Sequence, residues 1–205
     1  MTTKYSLTVI FLGTFQYVEI FSISKLSSTN FFSFLSSIFQ VTKLRASYAS
    51  RVTRDIKYRL RQLTNLQRML QQHETLLIEA LKRDLNKPSH ETQLCEMVLV
   101  RNDIAMFKHK LRQWAGRESV FRGVAFMFDT AFVQPEPYGV ALIISAWNYP
   151  IYLSLSPLVG AIAAGNCAIL KPSEIAPNIA KVFQDLLPRY LDPVCALNLI
   201  VINIL

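Results

Sequence analysis

The segment from residue 138 to 191 sets the tightest limit on what this chain can fold into. Tyr138-Gly139-Val140-Ala141-Leu142-Ile143-Ile144 is an unbroken apolar run of strand length, as expected of a parallel strand buried on both faces. Ser145 to Pro150 reads as a loop, and Ile151 to Ala164 is apolar, rich in small residues and of helix length. Gly165-Asn166 is a helix stop. Cys167-Ala168-Ile169-Leu170 then repeats the buried strand, Lys171-Pro172-Ser173-Glu174 the loop, and Pro177 to Leu191 an amphipathic helix. Strand, helix, strand and helix at this spacing make a βαβα unit, the building block of an open α/β sheet.

Upstream, from about Ala46, the pattern is helical. Val52, Ile56, Leu60, Leu63, Leu66 or Gln67, and Leu70 step by three and four. Glu74 to Leu85 forms a second helix ended by Asn86-Lys87-Pro88. A third runs from Ser89 to about Trp114 on a stripe of Leu94, Met97, Val98, Ile104, Phe107 and Leu111, and Ala115-Gly116-Arg117 breaks it. Residues 120–138 change period: Val120-Phe121, Val124, Phe126, Phe128 and Phe132-Val133 read as strands and turns, and Pro135-Glu136-Pro137 as a stiff connector.

Half of the 205 residues are apolar and under a fifth are charged, which excludes a disordered chain. The net charge of +8 is local: residues 43–122 hold 17 basic and 8 acidic side chains. The basic face Arg51, Arg54, Lys57, Arg59, Arg61 and Arg68 has no aromatic or Gly-rich recognition element beside it, so it reads as a solvated helix face and not a nucleic-acid site. His73, His90 and His109 lie in the helices without ligand spacing and read as surface residues; no metal site is expected. Cys95, Cys167 and Cys195 are an odd count with no CxxC, which suits free thiols in a reducing compartment. Residues 1–44 differ in kind. Tyr5–Val18 and Leu26–Thr42 are uncharged, the latter rich in Ser and Phe, yet neither is a clean span of about twenty apolar residues. They read as an atypical leader outside the folded domain, with a membrane-leaning segment as the alternative.

In a parallel sheet, ligands lie beyond the carboxyl ends of the strands. Two loops leave those ends: one holds Ser145, Ala146, Trp147, Asn148 and Tyr149, the other Lys171, Ser173 and Glu174. From spacing alone, Asn148 is a turn residue before Tyr149-Pro150, and Ser173 caps the following helix. Gly160 and Gly165 have P-loop spacing, but Asn166-Cys167 follows in place of Lys-Ser/Thr. There is no GxGxxG and no GxSxG.

The same loops carry a resemblance. Pro-Glu-Pro-Tyr-Gly-Val-Ala-Leu-Ile-Ile-Ser-Ala-Trp-Asn-Tyr-Pro (135–150) and Gly-Ala-Ile-Ala-Ala-Gly-Asn-Cys-Ala-Ile-Leu-Lys-Pro-Ser-Glu (160–174) closely resemble the aldehyde dehydrogenase superfamily. Trp-Asn-Tyr-Pro and Lys-Pro-Ser-Glu are most similar to class 3, which includes the fatty aldehyde dehydrogenases, and the helical stretch with Ala80-Leu81-Lys82-Arg83-Asp84-Leu85 and Lys87-Pro88 is similar to that class as well. The resemblance covers roughly residues 46–192. It implies oxidation of an aldehyde to a carboxylic acid with NAD, with NADP as the alternative. It places the Asn148 side-chain amide as an oxyanion donor. Lys171 and Glu174 then hold the adenosine ribose, and Ser145, Ala146, Trp147 and Ser173 line the cofactor. It also implies a homodimer and a small-molecule aldehyde as partner.

Other family parts are missing from these 205 residues. No cysteine stands in a Gly-Gln-x-Cys setting, and Glu-Leu-Gly-Gly-Lys and Phe/Tyr-Thr-Gly-Ser are absent. From Cys195 the tail Ala-Leu-Asn-Leu-Ile-Val-Ile-Asn-Ile-Leu drifts from the family pattern. The expectation is an α/β chain in which N-terminal helices precede part of a Rossmann-like parallel nucleotide-binding domain, truncated before the nucleophile. Its parts are a leader (1–44), a helical segment with strands (45–135) and a partial βαβα unit (136–205). The chain alone is then inactive and cytoplasmic, with membrane association through the leader left open. The alternative is a non-catalytic short form acting through full-length subunits or a membrane.

Overall fold

The computed structural model describes residues 8–10, 41–120 and 130–192. The bulk of residues 1–44, the Phe121–Asp129 stretch with Val124, Phe126 and Phe128, and the tail with Cys195 lie outside the described residues. Thr8–Ile10 (β1), Val140–Ile144 (β4) and Cys167–Lys171 (β5) form a parallel sheet in the order β1-β4-β5. Glu118–Ser119 (β2) and Phe132–Val133 (β3) pair antiparallel as a separate two-stranded ribbon.

The helices are residues 41–49 (α1), Ile56–Gln72 (α2), Glu74–Leu85 (α3), Ser89–Thr92 (α4), Val98–Trp114 (α5), Pro150–Ala164 (α6) and Pro177–Tyr190 (α7). The single helix expected from Ala46 to Leu70 is in fact interrupted. Arg51 takes a left-handed φ of 63°, a 3-10 turn follows at Val52–Arg54, and Asp55 opens α2 by accepting the Lys57 N–H. The helix expected over Ser89–Trp114 is continuous but contains a π turn at Gln93–Met97. The extra residue in a wider turn rotates the side chains before it by about 100° against those after it. Leu94 and Val98, expected on the buried stripe, are therefore exposed, whereas Glu96 is fully buried beside Met97.

Alternation along β4 and β5 divides the core in two. Ala141, Ile143, Ala168 and Leu170 face one large cluster with side chains of α2, α3, α5, α6 and α7, among them the fully buried Phe183. Val140, Cys167 and Ile169 face the other way, against Leu44 of α1 and Tyr58. Each fully buried Leu, Ile or Phe contributes roughly 1.5–3 kcal/mol, so both faces of the two strands are stabilised and their unbroken apolar sequence is explained. Arg59 belongs to this packing and not to the solvated basic face. It is buried, and its guanidinium donates to the carbonyls of Thr53, Arg54 and Ala163. His73 is half-buried, edge-on to Tyr190, with its Nε2 2.9 Å from the Tyr190 hydroxyl. His90 and His109 are exposed.

Two small devices fix the start of the sheet. Gly165 ends α6 at φ 90°, a conformation that favours glycine. Asn166 then turns its side-chain oxygen onto the Gly139 N–H at 2.9 Å, while Cys167 N–H donates to the Gly139 carbonyl at 2.8 Å.

Candidate functional site

Because β4 and β5 are parallel with Ile144 opposite Lys171, the loops that follow them leave the same edge side by side. The Ser145 N–H donates to the Lys171 carbonyl at 3.1 Å. Ser145 itself is turned inward. Its side chain is buried, its oxygen accepts from the Ser154 hydroxyl at 2.8 Å, and it lies 3.4 Å from the Lys171 carbonyl. It joins the first turn of chain after β4 to α6 and β5. Ala146, Trp147, Asn148 and Tyr149 are exposed, with Trp147 at 49%.

Asn148 uses its two ends differently. Its backbone carbonyl accepts from Lys87 Nζ at 3.0 Å. Its side-chain amide projects into solvent with no partner among the described residues, so both of its N–H bonds remain available to a ligand.

On the second loop, Lys171 Nζ and the Glu174 carboxylate form an ion pair. Lys171 is mostly covered and Glu174 about half exposed. Partial burial works to raise the Glu174 carboxyl, but the hydrogen bond from Lys171, a backbone hydrogen bond and the Lys171 charge together outweigh it and hold the group below its ordinary range. Ser173 does not cap α7. Its hydroxyl accepts from the Ile175 N–H within the loop, at 3.3 Å, and α7 begins only at Pro177. The free amides of α7 are met from elsewhere: Asp84 takes the N–H groups of Asn178 and Ile179.

Two residues important to the first loop were passed over in the sequence. In the sequence Lys87 belongs to a helix-ending tripeptide and to the class 3 resemblance, with no site role, and Glu96 is not singled out. They form a buried ion pair of 2.6 Å, with Glu96 completely covered. The other Glu96 oxygen accepts the N–H groups of Ile151 and Tyr152, at 2.8 and 3.2 Å. The available signal was one carboxylate inside the run Leu94-Cys95-Glu96-Met97-Val98-Leu99-Val100, since an ionised group is seldom carried into a core without partners.

The thiols stand apart from these loops. Cys95 is half-buried in the π turn, and Cys167 is buried at the opposite end of β5. A cavity of about 310 Å³ also lies away from the loops, bounded by Arg59, Phe107, Trp114, Pro137 and Ala164, at the end of the sheet where α6 delivers the chain into β5. Among the described residues no group of His, Cys, Asp and Glu could hold a metal ion, and no helix is long and apolar enough to cross a membrane.

Known proteins share this arrangement. Residues 43–202 match the model of the aldehyde dehydrogenase family. The bovine (Bos taurus) aldehyde dehydrogenase family 3 member B1 is 46% identical over 153 residues, which are 75% of this chain and 33% of that protein. A substrate-bound Staphylococcus aureus AldH superposes with a TM-score of 0.75 at 34% identity, over 77% of this chain and 34% of its own. An aldehyde dehydrogenase C (AldC) variant from Pseudomonas syringae, solved with NAD+ and octanal, shares the fold at a TM-score of 0.63 and 22% identity, over 77% and 31% of the two chains. This chain therefore spans about a third of the length of the curated relatives it matches. With mixed α/β architecture, a matching sequence and a superposable fold, it belongs to the aldehyde dehydrogenase family.

Proposed function

We propose that this chain supplies the oxyanion donor and part of the dinucleotide site of an enzyme that oxidises aldehydes to carboxylic acids. The observation that carries the reading is the exposed side-chain amide of Asn148, unpartnered among the described residues, on the loop that leaves the same sheet edge as the loop of the Lys171–Glu174 pair. An amide donates without titrating, so it can meet an oxygen whose charge grows when a thiolate attacks the aldehyde carbon. Preorganised donors of this kind are worth about 10²–10³ in turnover.

The residues present also fit a dinucleotide. Lys171 and Glu174 offer a cation and a carboxylate at one strand end, the donor and acceptor that adjacent ribose hydroxyls require. A carboxylate there disfavours a 2′-phosphate, which argues for NAD over NADP. When bound, the nicotinamide accepts the hydride. Ala146 and Trp147 are exposed on the same loop as Asn148 and are assigned to the cofactor, with Ser173 shaping the second loop and Ser145 holding the first to β5. The nucleophilic cysteine and general-base glutamate are assigned to sequence outside these 205 residues, because none of the cysteines stands in the required setting. The 205-residue chain alone should then give no turnover. Medium- or long-chain aliphatic and aromatic aldehydes are the substrates expected of class 3, and the active form is expected to be a homodimer.

The test uses a completed enzyme, in which residues 43–192 are joined to the remainder of the bovine relative. Asn148→Ala should lower kcat about 10²–10³-fold with KM little changed. Unchanged kcat would remove Asn148 from this role.

A further inference from the structure

The buried Lys87–Glu96 pair stands outside the dinucleotide loops, yet its hydrogen bonds beyond the pair go to residues 148–152, the end of the first loop and the first turn of α6. Lys87 Nζ donates to Glu96 Oε1 at 2.6 Å and to the Asn148 carbonyl at 3.0 Å. It also sits 4.0 Å from the centre of the Tyr149 ring. Glu96 Oε2 accepts the N–H groups of Ile151 and Tyr152. Residues 148 to 152 are therefore gripped on both sides of Pro150 by two charges that hold each other.

Packing alone does not account for this. Burying two ions costs several kcal/mol each, and an apolar pair of similar volume fills such a space at no loss of stability. What an apolar pair cannot do is bond the backbone. Ile151 and Tyr152 occupy the first turn of α6, where amides have no acceptor within the helix, and Tyr149 at its N-cap position provides no side-chain cap. Lys87 bonds the Asn148 backbone carbonyl and not its side chain, so the amide is left free while the backbone that carries it is restrained. The supports come from the loop after α3 and from the π turn.

We infer that Lys87 and Glu96 are positioning residues that hold Asn148 in its working orientation. The inference rests on the oxyanion reading of Asn148, and its test separates the two. Amide hydrogen exchange is measured on the 205-residue chain with Lys87→Met, Lys87→Arg, Glu96→Gln and Asn148→Ala. Lys87→Met and Glu96→Gln should speed exchange at Ile151 and Tyr152 at least tenfold while Ala161, deep in α6, keeps its protection, which shows that the helix remains folded. Lys87→Arg should restore protection at least in part. Asn148→Ala should leave exchange at the parental rate.

Turnover is then read in the completed enzyme. Lys87→Met should lower kcat about tenfold or more with little change in KM for the aldehyde, and Lys87→Arg should recover part of it. Parental exchange at Ile151 and Tyr152 in Lys87→Met, or parental kcat in that variant, would overturn the inference. Parental kcat in Asn148→Ala, with the exchange changes as expected, would instead overturn the oxyanion reading and leave the loop anchor standing.

Discussion

Asp84 and Asn178, 94 residues apart, are joined by two hydrogen bonds: one Asp84 oxygen accepts both the backbone and the side-chain N–H of Asn178. The second oxygen takes the Ile179 N–H at 2.9 Å. A residue at the end of α3 thus performs the capping that no side chain at the start of α7 provides. Asp84→Ala should cost about 1–2 kcal/mol, read as a lower urea midpoint with unchanged slope. Asp84→Asn keeps an acceptor and should lose less. Equal midpoints for parent and alanine variant would contradict the assignment.

Gly165 and Gly160 should respond in opposite ways to alanine. At Gly165, φ is 90° and a Cβ would stand 2.5–2.8 Å from atoms of the Arg59 guanidinium, which is tied down by three carbonyls. Gly165→Ala should destabilise by about 2 kcal/mol or more. At Gly160, inside α6, the nearest atom is Phe107 Cζ at 3.9 Å. Gly160→Ala should be neutral or stabilising by about 0.5–1 kcal/mol. Thermal denaturation of the two variants beside the parent decides both.

Glu74 should make stability depend on acid. Arg101 Nη2 donates to its carboxylate at 2.5 Å, and this hydrogen bond, outweighing partial burial, holds the carboxyl below its ordinary value. A depressed folded value means that the contribution is present above the unfolded pKa and is lost as pH falls through the folded one. With both side chains 29% exposed, solvent screening limits the effect to roughly 0.5–1 kcal/mol. Glu74→Gln should be less stable than the parent near neutrality, and the gap should close in acid. A gap independent of pH would exclude the ion pair as its source.

Glu174 should govern dinucleotide choice. Glu174→Gln removes the negative charge while keeping an oxygen acceptor. It should weaken NAD binding by about tenfold, roughly 1.4 kcal/mol, and weaken NADP binding less, because the repulsion of a 2′-phosphate goes with the charge. Calorimetric titration of the 205-residue chain with each dinucleotide measures the ratio. An unchanged NAD/NADP ratio would remove Glu174 from that role.

Local rules written into short segments were legible. Asn86 takes the left-handed conformation that ends α3, so Glu74–Leu85 could be bounded from sequence. Two apolar runs of strand length, separated by a helix closed with Gly165-Asn166, gave the parallel pair β4 and β5 and placed both loops at one edge. Relations that depend on tertiary partners were not legible. Arg59 has the spacing of a solvated face, but its three acceptors include Ala163, more than a hundred residues away. Ser173 has the composition of a helix cap, but the geometry that makes Asp84 the cap comes from packing α3 on α7. Leu94 and Val98 have the spacing of a buried stripe, but counting by 3.6 fails across the π turn. The anchor of Asn148 belongs to this second group, since nothing local links Lys87 or Glu96 to residues 148–152.

The π turn at Gln93–Met97 also sets how this stretch tolerates changes in length. Its extra residue acts as a phase adjuster between a short helix and a long one, letting Glu96 and Met97 both face inward while α5 keeps its own register. Deleting one residue from the turn would relax it to an ordinary helix and turn Glu96 by about 100° toward solvent. Helices α4 and α5 would survive such a deletion as helices. The grip on the Asn148 loop would be lost, so that a change which looks conservative by secondary structure would be severe for the site.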